Sequence, residues 1–313
     1  MNTYFITGVM GFVGSHWAEY LLKNGDKVIG IDIHQDSKHL LEFENFEFIK
    51  DTIIDNKKKI SELIKKSDYI LHLASIAEPD QYINDPKKVI QIAAFAAMDI
   101  VDLCVELKKK LFFTSTSEIY GKNEKLPFKE DDDRVLGSTT TKRWCYSTSK
   151  AMVEHYIQAC EVNSDIDFRI VRLFNVYGPR LHGRVVSKFI QNAVKNESLE
   201  INGSGKQTRC FTYIDDVINA FNLILLSKKC KNEIFNVGSD VEVSIEDFAK
   251  KVINVTKSKS KLKKISYIEQ FGKSYEDIIR RVPDVKKIKD YVGWTAKTSI
   301  EDGIKKILGK NYE

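Results

Sequence analysis

One stretch near the start of the chain constrains its fold more than any other: Thr7-Gly8-Val9-Met10-Gly11-Phe12-Val13-Gly14. It follows a β-branched and aromatic run, Thr3–Thr7. It precedes apolar residues at helical spacing: Phe12, Val13, Trp17, Ala18, Leu21 and Leu22. Gly25 then reads as a helix stop. Glycines between a strand and a helix serve a tight turn, close approach of backbone to a pyrophosphate, and close helix–strand packing. The helix start adds unpaired N–H groups and the positive end of the helix dipole. Three glycines alone would be a weak signal, but this setting makes Gly8, Gly11, Phe12, Val13 and Gly14 candidates for a dinucleotide site.

The pattern continues in kind. Lys27–Ile33, Phe46–Lys50, Tyr69–Leu73, Leu111–Thr114, Phe168–Leu173 and Ile234–Val237 read as strands. Helical patterns lie between them, including one from Val89 to Leu107 with a small-residue face. Strands alternating with helices predict an α/β fold, a Rossmann-type doubly wound parallel sheet. A chain of 313 residues, at about 150 per domain, suggests two domains. The expected division is 1–175 plus about 217–238 for a nucleotide-binding domain. A smaller, discontinuous α/β domain would take about 176–216 plus 239–313. Ser244–Val255 and Ser299–Leu308 read as helices there, and the lysine/serine run Lys257–Lys264 as a solvated loop.

Several function classes drop out. No apolar run reaches the ~18 residues that span a bilayer, so no membrane partner is expected. The first residues show no basic region ahead of an apolar one, and a cytoplasmic location is expected. The 49 basic and 44 acidic residues nearly balance. With no arginine-rich stripe interleaved with aromatics, nucleic acid is not an expected partner. Five scattered cysteines without a Cys-x-x-Cys pair argue against a disulfide framework and against a structural metal.

Asp32 ends the second strand, roughly 20 residues after the glycines. A carboxylate there accepts hydrogen bonds from an adenosine ribose and repels a 2′-phosphate, so NAD is favoured over NADP. Tyr146 and Lys150 stand four apart at the opening of a helical stretch and share one face. A free tyrosine, with pKa about 10, is a poor base at neutral pH. A neighbouring ammonium favours the phenolate, and Tyr146 could then take a hydroxyl proton as hydride leaves the same carbon. The fifth strand runs into Thr114-Ser115-Thr116-Ser117-Glu118, a hydroxyl cluster at a carboxyl end, where ligands of such sheets bind. Thr116 could hydrogen-bond the reacting oxygen beside Tyr146. The bland alternative is hydroxyls that satisfy turn backbone.

Three elements occur in order: TGVMGFVG at 7–14, TSTSEIYG at 114–121 and YSTSK at 146–150. HLASIAEPDQYINDP at 72–86, RLFNVYGPR at 172–180 and GSGKQTRCFTYIDDV at 203–217 accompany them. In these the chain resembles, over essentially its whole length, the extended short-chain dehydrogenases/reductases that act on nucleotide sugars. The resemblance implies NAD on the first domain and a nucleoside-diphosphate sugar held between the domains. It also implies a homodimer or tetramer built through the helices carrying 89–107 and 147–162. From Ser75 to Lys150 the chain is most similar to UDP-glucuronate decarboxylases, as it is in GKSYEDIIRRVPD at 272–284.

By that resemblance Thr116 partners Tyr146, while Ser117 and Glu118 face the reacting sugar. Thr52, Ile53, Leu73, Ala74 and Ser75 join the cofactor set. Glu78, Tyr82, Asn175, Arg184, Arg209 and Arg281 join the substrate set, with Asn175 orienting the diphosphate and Arg209 meeting the diphosphate or the uronate carboxylate. The implied reaction is hydride removal at sugar C4, then loss of carbon dioxide from the resulting β-keto acid. Two departures stand out. Thr52 replaces an aspartate that relatives often carry near adenine, with Asp51 next to it. Ser117 stands where 4,6-dehydratases carry the aspartate that expels water. C4 dehydrogenation, 4-epimerisation or 4,6-dehydration of another nucleotide sugar remains an alternative, as does a non-catalytic NAD-binding sensor.

Overall fold

The computed structural model describes residues 1–266 and 278–311, with side chains to residue 309. Its elements begin β1 (Thr3–Thr7), α1 (Phe12–Lys23), β2 (Lys27–Asp32), β3 (Phe46–Lys50), α2 (Lys57–Lys65) and β4 (Tyr69–His72). Short helices α3 (Pro79–Asn84) and α4 (Pro86–Ile90) follow. A π-helical stretch, Gln91–Ala96, joins α4 to α5 (Ala97–Glu106). Then come β5 (Lys110–Thr116), α6 (Trp144–Asn163) and β6 (Asp167–Leu173).

The remaining elements are β7 (Val176–Tyr177), α7 (Val185–Val194), β8 (Leu199–Asn202), β9 (Thr208–Cys210), β10 (Thr212–Tyr213) and α8 (Ile214–Leu226). They close with β11 (Glu233–Val237), β12 (Glu242–Ser244), α9 (Ile245–Thr256), β13 (Leu262–Ile265), α10 (Lys286–Val292) and α11 (Ile300–Asn311).

A seven-stranded parallel sheet runs in the order β3-β2-β1-β4-β5-β6-β11. This is the doubly wound order in which the chain reverses beside β1. Strands buried on both faces read as unbroken apolar runs. Accordingly, all of β5 except Lys110 is buried. One face packs Phe5, Ile29, Ile70, Leu111 and Phe113 with Ala97, Ile100, Cys104, Val153 and Ile157. On the other, Trp17 lies 4.7 Å from both Phe112 and Phe221, and its indole N–H donates to Asn222 at 3.1 Å.

The chain groups into two compact units. Unit 1 is Met1–Ile119, Gly137–Arg172 and Phe221–Phe235. Unit 2 is Tyr120–Leu136, Leu173–Ala220 and Asn236–Glu313. Tyr120–Leu136 thus groups with the second unit, although the local pattern places it in the first. Tyr120 stacks on Phe128 at 4.6 Å and donates to Asn236 at 2.8 Å, and the Phe128 N–H donates to the Val282 carbonyl. These partners lie far along the chain, so no local periodicity records them.

Unit 2 carries three two-stranded sheets, β10-β7, β12-β9 and β13-β8. The lysine run predicted as a loop corrects here: Leu262–Ile265 forms β13, parallel to β8. Lys263 and Lys264 stay exposed while Leu262 and Ile265 are half-buried. The strand rests on backbone pairing, which the lysines mask in a hydropathy reading. In unit 1 the long helix expected over 89–107 carries the π-helical stretch. Val89 and Ala93 pack around Tyr82, whereas Ala97, Ile100 and Cys104 reach the sheet. No helix among the described residues is long and apolar enough to cross a membrane.

Candidate active site

Two of the three glycines of the turn leave no room for a side chain. Gly8 has φ +71°, and a Cβ there would stand 2.8 Å from the Ala74 backbone. A Cβ on Gly14 would overlap the Gly8 carbonyl oxygen. Gly11 precedes α1, whose first turn has neither a side-chain cap nor an acidic residue. A helix start with open N–H groups beside such glycines is suited to phosphate. Thr7 ties β1 to β4: its carbonyl accepts from Leu73 N–H and its hydroxyl from Ala74 N–H, each at 3.2 Å. Leu73, Ala74 and Ser75 therefore border the turn. Ser75 Oγ is buried with no hydrogen-bond partner among the described residues.

Asp32 points back at this turn. One carboxylate oxygen accepts from Met10 N–H at 2.9 Å, the other from His34 N–H at 3.0 Å. Each oxygen keeps lone-pair capacity for a further hydroxyl. Phe12 and Val13 begin α1, where Phe12 meets the His16 ring edge-on at 5.3 Å. Thr52 and Ile53 follow β3. The Thr52 hydroxyl accepts from Ile54 N–H at 3.1 Å. Asp51 is held by Lys59 at 2.6 Å, which draws its carboxyl below the ordinary range.

The second half of the site lies where β5 ends against α6. Lys150 is fully buried, donates to the Thr114 carbonyl at 2.8 Å, and lies 4.6 Å above the Phe113 ring. Burial pulls its pKa down to about 7, against an opposing pull from Glu154. Glu154 is itself forked by Arg172, at 2.6–3.2 Å. Tyr146 lies one helical turn before Lys150 and stacks on Tyr82 at 4.8 Å with rings 10° from parallel. The stack leaves Tyr146 6% exposed. Glu78 precedes α3, which carries Tyr82. Thr116 Oγ1 accepts from Glu118 N–H at 3.2 Å, so the hydroxyl does satisfy turn backbone and keeps its own proton to donate. Ser117 and Glu118 are buried beside it.

Two groups here escaped the sequence reading. His72 is buried, shares a 2.8 Å hydrogen bond with Thr7 Oγ1 through Nδ1, and has no partner at Nε2. Its carbonyl accepts from Thr114 Oγ1 at 3.1 Å, which links the glycine turn to the strand end that holds Lys150. Arg143, also buried, places Nη2 3.8 Å from Glu118 Oε1. Arg143 had a detectable signal: it stands three residues before Tyr146, on the same helix face. His72 had none, because its partner is on another strand.

The other substrate candidates all lie in unit 2. Asn175 follows β6 with φ +34°, and its buried Nδ2 has no hydrogen-bond partner. Arg184 caps α7 through a reciprocal pair with Ser187. Arg209, in β9, donates to the Thr208 carbonyl at 2.7 Å and the Ile279 carbonyl at 3.5 Å. That brings it to the segment carrying Arg281, and both arginines are buried. Residues 272–277 of the motif ahead of Arg281 lie outside the described residues.

Comparison with known proteins shows the family. A family model described as GDP-mannose 4,6 dehydratase matches residues 5–307. The UDP-N-acetyl-alpha-D-glucosaminuronate decarboxylase of Bacillus cytotoxicus is 35% identical over 97% of this chain and 95% of its own length. The bifunctional polymyxin resistance protein ArnA of Wigglesworthia glossinidia brevipalpis is 36% identical over 97% of this chain, which spans 50% of that protein. Among solved structures, the UDP-glucuronic acid 4-epimerase from Bacillus cereus, in complex with UDP-glucuronic acid and NAD, is similar with a TM-score of 0.87. It is 25% identical over 98% of this chain and 99% of that one. The chain belongs to the family that the GDP-mannose 4,6 dehydratase model describes, within the extended short-chain dehydrogenases/reductases that act on nucleotide sugars.

Proposed function

We propose that the chain is an NAD-dependent enzyme that oxidises C4 of a nucleoside-diphosphate sugar. We further propose that its substrate is a UDP-linked uronic acid, which then loses carbon dioxide. The observation that carries the reading is Tyr146 standing one helical turn before Lys150, which is buried against the end of β5. The names of the relatives support the uronic acid.

The residues present fit NAD. A cradle that a Cβ at Gly8 or Gly14 would fill, the uncapped start of α1 and the unpartnered Ser75 Oγ stand together. Gly8, Gly11, Phe12, Val13 and Gly14 would hold the diphosphate and Asp32 the adenosine ribose. Thr52, Ile53, Leu73, Ala74 and Ser75 would complete the set. When bound, NAD supplies a hydride acceptor for the sugar's C4. These cofactor candidates all lie in unit 1, and the candidate nucleotide-sugar contacts in unit 2 are Asn175, Arg184, Arg209 and Arg281. Glu78 and Tyr82 contribute from unit 1.

The chain's own residues move the protons. Lys150, charged, stabilises the Tyr146 phenolate, which takes the C4 hydroxyl proton while Thr116 donates to the same oxygen. With its pKa near 7, Lys150 is poised between charged and neutral forms at neutral pH. The C4 ketone stands β to the C6 carboxylate, so carbon dioxide leaves and the bonding pair becomes an enolate. Protonated Tyr146 stabilises the enolate oxygen. Ser117 and Glu118 orient the sugar or a water.

The test is a panel of UDP-, GDP- and dTDP-sugars, including UDP-glucuronic acid, incubated with protein and NAD and read by mass spectrometry. Loss of carbon dioxide from a UDP-uronate is expected. In Tyr146→Phe, kcat should fall by roughly 100-fold or more while NAD still binds. Loss of water, or an unchanged mass with inverted C4, would replace decarboxylation with dehydration or epimerisation. No product from any sugar would leave NAD binding alone.

A further inference from the structure

The geometry points to Arg143 as a positioning residue that holds Glu118 ionised and oriented after the end of β5. The inference rests on the reading above only in taking Glu118 as a group that faces the sugar.

Arg143 breaks a local rule. It is the residue at which α6 begins, with helical backbone angles and no side-chain cap on the helix. A cation near a helix N-terminus opposes the helix dipole, and no acidic residue in the first turn of α6 offsets it. Arg143 is also buried, and a buried guanidinium is costly unless paired. Such departures from local preference are expected where function demands them. The compensation lies across the fold. Glu118, on the turn after β5, is buried too and brings its carboxylate to 3.8 Å from the guanidinium, which packs over the Trp144 ring at 5.6 Å.

Unit 1 contains a second buried arginine–glutamate pair, and the contrast is informative. Arg172 forks Glu154 with hydrogen bonds of 2.6, 3.1 and 3.2 Å, a geometry that locks both side chains. Arg143 and Glu118 sit beyond hydrogen-bond distance of each other at that contact. At that contact their attraction is of charge for charge. Among the groups that bear on Glu118 are Arg143 and, from the start of α6, the Cys145 thiol, whose pKa is raised first by burial and also by the Glu118 charge. An opposite charge this close favours the carboxylate over the acid. On this proposal Glu118 rests as a carboxylate, fit to orient a sugar hydroxyl or a water. Arg143 acts through it.

Two measurements test this. The first needs no turnover: the Glu118 carboxyl is titrated by NMR in protein carrying 13C-labelled glutamate, its signal assigned by loss in Glu118→Gln. In Arg143→Met the titration should move to higher pH, by a unit or more, and in Arg143→Lys it should stay near the parent's. An unmoved titration overturns the proposal whatever reaction the protein performs. The second uses whichever nucleotide sugar the panel shows to be turned over. Arg143→Met should lower kcat about tenfold with little change in KM, and the acidic limb of its pH profile should shift upward. In a Glu118→Gln background the same substitution should cost little more. A purely structural role for Arg143 would instead lower Tm and turnover equally in both backgrounds, without the shift, and would overturn the proposal.

Discussion

At the residue scale, burial assigns protonation states here as much as charge does. Lys150 loses proton affinity because it lies in the core, against the Thr114 carbonyl and the Phe113 ring, and the Glu154 charge only partly offsets this. His72, one strand over, is pushed to about 3, first by burial and then by the nearby Lys150 charge. The sign follows. The folded imidazole titrates far below its ordinary value near 6.5, so its contribution to stability is complete above that pH and is lost as pH falls toward 3. Between pH 6.5 and 5, before the carboxylates titrate, stability should fall by up to about 1.4 kcal/mol per pH unit. His72→Asn keeps a polar atom facing Thr7 and cannot titrate, so urea denaturation of that variant should show a flatter slope over the same window. Equal slopes would mean that His72 charges as easily in the folded chain as in the unfolded one.

At the element scale, the turn from β1 into α1 should be intolerant at one glycine and forgiving at another. Gly14 packs against the Gly8 carbonyl so closely that an added methyl must move backbone. Gly11 has ordinary angles, φ −69° and ψ 171°, and a Cβ there would stand 3.2 Å from the same oxygen. Gly14→Ala should cost about 1–3 kcal/mol in thermal unfolding and weaken NAD by tenfold or more in calorimetry. Gly11→Ala should cost clearly less stability. A Gly14→Ala protein with the parent's Tm and NAD affinity would show that helix–turn packing does not set the cradle. The π-helical stretch before α5 belongs at this scale too. It lets one helical run serve both the Tyr82–Tyr146 cluster and the sheet core.

At the scale of the whole molecule, unit 1 leaves apolar side chains open on the two helical runs expected at a dimer interface. Phe95 is 56% exposed, Met152 39% and Val162 81%. Scattered single apolar residues are normal, but these share the runs 89–107 and 147–162. We propose a homodimer joined there. Sedimentation analysis should find a dimer at micromolar concentration, and Phe95→Asp should shift it toward monomer with little loss of Tm. A monomeric parent chain would remove this interface.

The parallel sheet, the glycine turn, Asp32 at a strand end, and Tyr146 with Lys150 on one helix face were all legible before folding. Each depends on residues a few positions apart, where helical and strand periods alone dictate who shares a face. Packing decided the rest. Arg143 meets Glu118 only because α6 starts against the turn that ends β5. Tyr120–Leu136 joins the second unit only because Asn236 and Val282 return to it. Lys150 loses its proton readily only because the strands around it exclude water. Desolvation and contacts between distant segments are properties of the assembled core, and no window of sequence contains them.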